Sequence, residues 1–218
     1  MLRIAVLASG RGSNLAALLA AIEDGRLKSQ IVGVFSDRAN APALELAREN
    51  RIPARSQDPA AYSRRADFDE ALFNEVQAVQ PDLIVCAGYM RLISERAVRR
   101  CLGKMINIHP SLLPKYPGLH THARALAAGD SESGASVHLV IPELDAGPVL
   151  AQARVPIHVG DDAAALAARI LEREHPLLVA CVAAIESGEL KLADPALWRG
   201  APMGAALQLS AHDELEMP

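Results

Sequence analysis

The chain has 218 residues, half of them apolar and 22% charged, with a formal net charge of −4. That balance belongs to a folded globular chain rather than a disordered one, and the slight negative charge speaks against nonspecific binding to nucleic acid or to an anionic membrane. Three cysteines, Cys86, Cys101 and Cys181, are far apart, odd in number and in no metal spacing, which suits reduced thiols in the cytoplasm.

The opening "MLRIAVLASG" reads as a strand running into a Gly-rich loop, and its apolar run is too short for a signal peptide. No segment approaches the ~18 apolar residues of a membrane span. A helical stretch over residues 15–23 follows, then a strand over 31–37, a helix near 41–51 and a longer helix over 66–79, stopped by Pro81. "DLIVCAGY" (82–89) is apolar almost throughout, as in a strand covered on both faces. Ser94 and Glu95 open a short helix, and "KMINIH" is the next strand. Strands alternating with helices predict an α/β fold: a mostly parallel, doubly wound, Rossmann-like sheet with helices on both faces. From Gly134 onward "ASVHLVI" and "PVLAQARVPI" predict an antiparallel C-terminal extension. A helix over 161–187, bent near Pro176, comes after them. The tail after Ala201 shows no periodicity, and no repeat or linker divides the chain, so a single domain over 1–218 is expected.

Three stretches could carry chemistry. "ASGRGSN" joins the first strand to the first helix, where Gly10 and Gly12 permit a tight turn and free N–H groups suit a phosphate. It lacks the lysine of a nucleotide P-loop and the third glycine of a dinucleotide fingerprint. A ligand-free turn is the other reading. In "MINIHP", Met105, Asn107 and His109 share one face by the period of two, and Pro110 stops the strand. His109 then stands at a carboxyl edge, where doubly wound sheets open their ligand crevices. An amide and an imidazole aimed together can stabilise an oxygen that gains negative charge in acyl transfer; a histidine that is merely structural is the alternative. "PELDAGPV" places Asp145 in a turn, which is either its whole role or a means of favouring an imidazolium nearby.

On a helical wheel Glu174 falls among Leu166, Ile170, Leu177, Cys181 and Ile185, and a carboxylate there needs a partner. An internal salt bridge, with a basic residue near Arg173 or with His175, and a bound ligand are both open. His120, His122 and His138 have no companion cysteine or carboxylate at metal-ligand spacing, so no metal is expected.

Taken together, "SGRGSN", "AGYMRLIS", "INIHPSLLPKYPGLHTH", "SVHLV", "ELDAGPV" and "EREHPL" resemble the phosphoribosylglycinamide formyltransferase family over nearly the whole chain. Methionyl-tRNA formyltransferases are similar here but typically have glycine after the histidine and a further C-terminal domain. The resemblance implies transfer of a formyl group from 10-formyltetrahydrofolate, acting as cosubstrate, to the amine of glycinamide ribonucleotide in purine biosynthesis. It implies no metal and no nucleic acid or membrane partner, in a monomer or homodimer. By position, Gly12, Ser13 and Asn14 match the phosphate loop, and Asn107, His109 and Asp145 match the catalytic residues. Met90, Arg91, Leu92 and Ile93 match the segment bordering the folate pterin, with Arg65 a weaker folate match. Val140, Ile141, Pro142, Glu143 and Leu144, with Asp145, match the folate-binding loop, and Glu174 a ribonucleotide contact. Tyr89, Ala146 and Leu171 depart from the family's familiar phenylalanine, glycine and glutamine. A formyltetrahydrofolate hydrolase would use the same catalytic residues with water as acceptor, but typically carries an N-terminal regulatory domain, whereas strand one here begins at Leu2. A nucleotide-binding module would explain the loop but not Asn107 and His109.

Overall fold

The computed structural model describes all 218 residues, which divide into two compact units. The first comprises Met1–Asn107 with Val140–Pro142, and the second Ile108–Leu139 with Glu143–Pro218.

In the first unit strands and helices alternate as the sequence predicts, with β3 as an addition: β1 (Arg3–Leu7), α1 (Ser13–Glu23), β2 (Gln30–Ser36), α2 (Pro42–Glu49), β3 (Ala54–Ser56), α3 (Arg65–Ala78), β4 (Leu83–Cys86), α4 (Glu95–Arg100) and β5 (Met105–His109). The strands lie in the order β3-β2-β1-β4-β5, all parallel. Strand β4 is buried along its whole length, so its sequence shows no alternation. It ends three residues before the sequence suggests, because Gly88 turns the chain with φ 75°. Phe68, Leu72, Phe73 and Val76 give α3 one apolar face, packed with Leu7, Phe35 and Ile84. Pro42 sits in the first turn of α2, where its missing N–H costs nothing. The three-residue β3 has no sequence signal of its own; it pairs with β2 over residues 34–36.

In the second unit a proline-rich loop leads to α5 (Thr121–Ala127), β6 (Glu132–Leu139), β7 (Val149–Pro156) and α6 (Ala163–Ser187). Strands β6 and β7 pair antiparallel, and the register slips between Val137 and His138. Such a bulge re-aims the side chain beside it. A Cβ on Gly134 would lie 1.9 Å from the Ala153 carbonyl oxygen, so only glycine lets these strands meet. Helix α6 starts at Ala163, not at Asp161: Asp162 is the cap and accepts the Ala165 N–H at 2.8 Å. It then runs unbroken through Pro176 to Gly188, whose φ of 78° ends it. The tail after Ala201 is not irregular. Short strands β8 (Leu190–Lys191), β9 (Leu197–Trp198) and β10 (Ala201–Pro202) form a small antiparallel sheet. Strand β11 (Leu207–Leu209) pairs parallel with β7, and β12 (Leu215–Glu216) antiparallel with β11. At two or three residues each, these strands are too short for a period to register. No helix is long and apolar enough to cross a membrane, and the three cysteines are buried free thiols.

Candidate active site

In the first unit the chain leaves β1 for β2 and β3 and returns to β4 on the other side of β1, so the topological switch point lies between β1 and β4. Ligand crevices form beside such a point, at the carboxyl ends of the strands. Here that edge carries the loop of residues 8–12 and the N-terminus of α1. Gly12 is the N-cap, with φ 80° and no side-chain cap, and no acidic residue stands in the first turn. The amides of Ser13 and Asn14 thus open the helix with its partial positive charge intact. Asn14 is buried and Ser13 half-buried. The fold itself also requires glycine at position 12: a Cβ there would meet Cα and Cβ of Ala43 at 2.9 Å, and the left-handed φ already excludes most side chains.

Across the switch point, residues 90–93 follow β4. Met90 and Leu92 are exposed at 61% and 52%. Arg91 stacks on the Phe68 ring, its Cζ 5.0 Å from the centroid, and Ile93 packs on the core. Tyr89 is held neutral by burial and by the carboxylates of Asp37 and Asp69, which push its phenol far above its ordinary range. Arg65, first residue of α3, is exposed. Val140 donates its N–H to the Met105 carbonyl at 2.9 Å, with Ile141 and Pro142 half-buried after it. Asn107, half-buried, stands opposite Cys86 of β4.

In the second unit His109 ends β5 at 6% exposure. Its Nδ1 lies 3.5 Å from Oδ2 of Asp145, and its Nε2 lies 3.0 Å from the Tyr116 carbonyl oxygen. Asp145 has φ 50°, which bends the turn and swings the carboxylate inward. There Oδ2 also accepts the Gly118 N–H at 2.8 Å, and Oδ1 lies 3.6 Å from Nε2 of His138. His138, at 2% exposure, directs Nδ1 to the Leu139 carbonyl at 2.8 Å. One carboxylate is therefore shared by two buried imidazoles. Asp145 is both a turn former and the partner of His109.

Burial is the largest influence on His109 and lowers its pKa, against the Tyr116 carbonyl and the Asp145 charge, which favour the imidazolium. For Asp145, burial works to raise the pKa, but the bonds from His138 and Gly118 and the two neighbouring imidazoles prevail and hold it below the usual carboxylate range. The result is an anionic carboxylate beside an imidazole that is neutral near pH 7. Both ring nitrogens of His109 face oxygen acceptors, so a proton taken up transiently is held well, and burial returns it. An imidazole under these opposed influences has the chemistry that general acid–base catalysis requires.

The loop after His109 is fastened by buried polar groups. Ser136 Oγ donates to the Ser111 carbonyl at 2.7 Å and accepts the Leu113 N–H at 3.0 Å. Gln152 Nε2 reaches both the Leu113 carbonyl (2.8 Å) and Ser136 Oγ (3.0 Å), and Ser111 Oγ bonds the Lys115 carbonyl at 2.7 Å. These bonds fix where Tyr116 and Gly118 meet His109 and Asp145. Sequence reasoning missed Ser111, Ser136 and Gln152, and weighed His138 only as a metal ligand. One signal was available for His138: alternation along "SVHLV" puts it on a buried face of a covered strand, where an imidazole needs a partner.

Glu143 and Leu144 are exposed. Glu174 is half-buried on α6, not enclosed as the wheel suggests, and Arg173 is turned to Asp213 (2.8 Å) and the Ser210 carbonyl (2.6 Å). His120 is the left-handed N-cap of α5, and His122 is half-buried behind it. No group of three or more His, Cys, Asp or Glu is placed to hold a metal ion.

Residues 2–182 match the formyl transferase family. The chain is 43% identical over 197 residues to the phosphoribosylglycinamide formyltransferase of Escherichia coli (strain K12), a match covering 90% of this chain and 93% of that protein. It is 39% identical over 194 residues to the protein of the same name from Haemophilus influenzae, covering 89% and 92%. The solved structure of the phosphoribosylglycinamide formyltransferase from Coxiella burnetii superposes with a TM-score of 0.89 at 41% identity, over 93% of this chain and 96% of that one.

Proposed function

The chain belongs to the formyl transferase family, and from that premise we propose that it transfers the formyl group of 10-formyltetrahydrofolate to the amine of glycinamide ribonucleotide, releasing formylglycinamide ribonucleotide and tetrahydrofolate. The observation that carries this reading is the buried His109–Asp145 pair in a chain 43% identical to an enzyme named for that reaction.

The roles follow from the chemistry each group can do. The first-turn amides at Gly12, Ser13 and Asn14 take the ribonucleotide phosphate, and Glu174 accepts hydrogen bonds from the same ligand. Exposed Met90 and Leu92, with Arg91, Ile93 and the backbone of Val140, Ile141, Pro142, Glu143 and Leu144, border the folate, and Arg65 offers a cation to its carboxylates. The amine attacks the formyl carbon, and the carbonyl oxygen becomes an oxyanion. Asn107 donates an amide N–H to it, and the His109 imidazole supports the same charge. The attacking nitrogen loses one proton and the departing folate nitrogen gains one, with His109 as the relay. Asp145 holds the imidazole in place and stabilises its cationic form, and His138 keeps Asp145 anionic. No further reagent is consumed.

The test is the folate absorbance change on loss of the formyl group, with and without glycinamide ribonucleotide. Turnover should require the ribonucleotide. Equal turnover without it would mean that water is the acceptor, and no turnover with it would dismiss the reading.

A further inference from the structure

The loops after β1 and β4 flank the switch point, and one hydroxyl joins them. Ser9, 2% exposed, donates Oγ–H to Oδ1 of Asp37 at 2.5 Å and accepts the Met90 N–H at 2.9 Å. Its own N–H bonds the Gly88 carbonyl at 3.0 Å. Asp37, just beyond the end of β2, is 8% exposed, and its other oxygen has Arg38 Nε 4.0 Å away. A carboxylate only accepts hydrogen bonds, so the single Oγ proton is committed to Asp37 and a lone pair is left facing Met90. The bond to a charged acceptor is the stronger kind, and it sets the rotor. Ser9 lies in the loop of residues 8–12 that leads from β1 to α1, and Met90 begins the exposed segment that follows β4. Displacing either loop therefore strains the same three bonds.

We infer that Ser9, oriented by Asp37, is a positioning residue that ties the phosphate loop to the folate-bordering segment, so that each ligand tightens the binding of the other. This rests on the assignment of those two loops to the ribonucleotide and the folate. A ligand that orders one loop lowers the ordering cost of the other, and by linkage the effect is equal in both directions.

Calorimetry with glycinamide ribonucleotide and tetrahydrofolate, a pair that cannot react, measures this directly. In the wild type, saturation with either ligand should tighten the other about fivefold or more, the lower end of usual coupling between sites. Ser9→Ala keeps the volume, and should lower that factor below about twofold while each ligand still binds alone. Asp37→Ala, which frees the rotor, should do the same. A folded Ser9→Ala or Asp37→Ala protein with the full wild-type factor would overturn the inference, as would a wild-type factor of one. If the wild type bound neither ligand, the assignment of the loops itself would fall, which is a different result from independent binding of both.

Discussion

Replacing Asp145 with asparagine removes one charge from the middle of the candidate site and little else. The amide oxygen can still accept the Gly118 N–H, so the turn keeps its 2.8 Å bond. What is lost is the attraction between the carboxylate and an imidazolium on His109, 3.5 Å away. Two unit charges at that distance attract by about 5 kcal/mol at an effective dielectric near 20. The amide dipole and local relaxation retain part of this, leaving a loss of about 2–3 kcal/mol wherever the ring is cationic. At 1.36 kcal/mol per tenfold, kcat should fall roughly 10²-fold. The new NH₂ can also donate to Nδ1 and favour the opposite tautomer, which adds to the loss. KM for either substrate should change little. The sign of the pH effect is fixed: Asp145 raises the His109 pKa, so its neutralisation lets His109 titrate at still lower pH, and the acid limb of kcat/KM moves down with it. Steady-state kinetics and histidine NMR titration of the variant measure both. A kcat within threefold of wild type, together with an unmoved His109 titration, would refute the coupling.

Gly12→Ala should destabilise the protein by about 1–3 kcal/mol, because it puts a Cβ into a left-handed residue and against Ala43. Ribonucleotide KM should rise with it, and an unchanged melting temperature would contradict the assigned cause. Glu174→Gln should weaken ribonucleotide binding by about 1–3 kcal/mol and leave tetrahydrofolate binding alone; a lower melting temperature with unaltered ribonucleotide affinity would make Glu174 a scaffold residue. Burial holds His109, His122 and His175 each below the ordinary histidine value of about 6.5. The unfolded chain then binds more protons below that value, so their contribution is complete above pH 6.5 and is lost as pH falls from there through the lower folded values. Melting temperature should drop between pH 7.5 and 5.5, and a flat or rising profile would count against these burials.

The parallel part of the fold was legible because its strands are buried on both faces and its helices carry wide apolar stripes. Cys86 lies at the end of a strand of four buried residues, and α3 repeats its apolar positions from Phe68 to Val76. The helix α5 was not legible: its N-cap, His120, sits at φ 59° without a side-chain cap, so the sequence carries no start signal. Asn107 and His109 stood out because polar residues interrupt an apolar strand at its carboxyl edge. The partnership of His109 with Asp145 spans 36 positions, and no local pattern encodes it. His138 escaped because alternation shows at most that its imidazole is buried and needs a partner, and that partner, Asp145, lies beyond the strand. Glu174 misled in the other direction. A wheel gives direction from the helix axis, but how deeply that face is covered depends on neighbours that the wheel leaves out.

The most direct measurement follows an isotopically labelled formyl group from 10-formyltetrahydrofolate by mass spectrometry, in the wild type and in Asn107→Ala and His109→Ala. The label should appear on the glycinamide ribonucleotide amine with the wild type. Each variant should deliver it roughly 10²-fold more slowly or worse, while calorimetry shows both ligands still bound. Label released as formate, or delivered to the ribonucleotide at the wild-type rate by His109→Ala, would contradict the account.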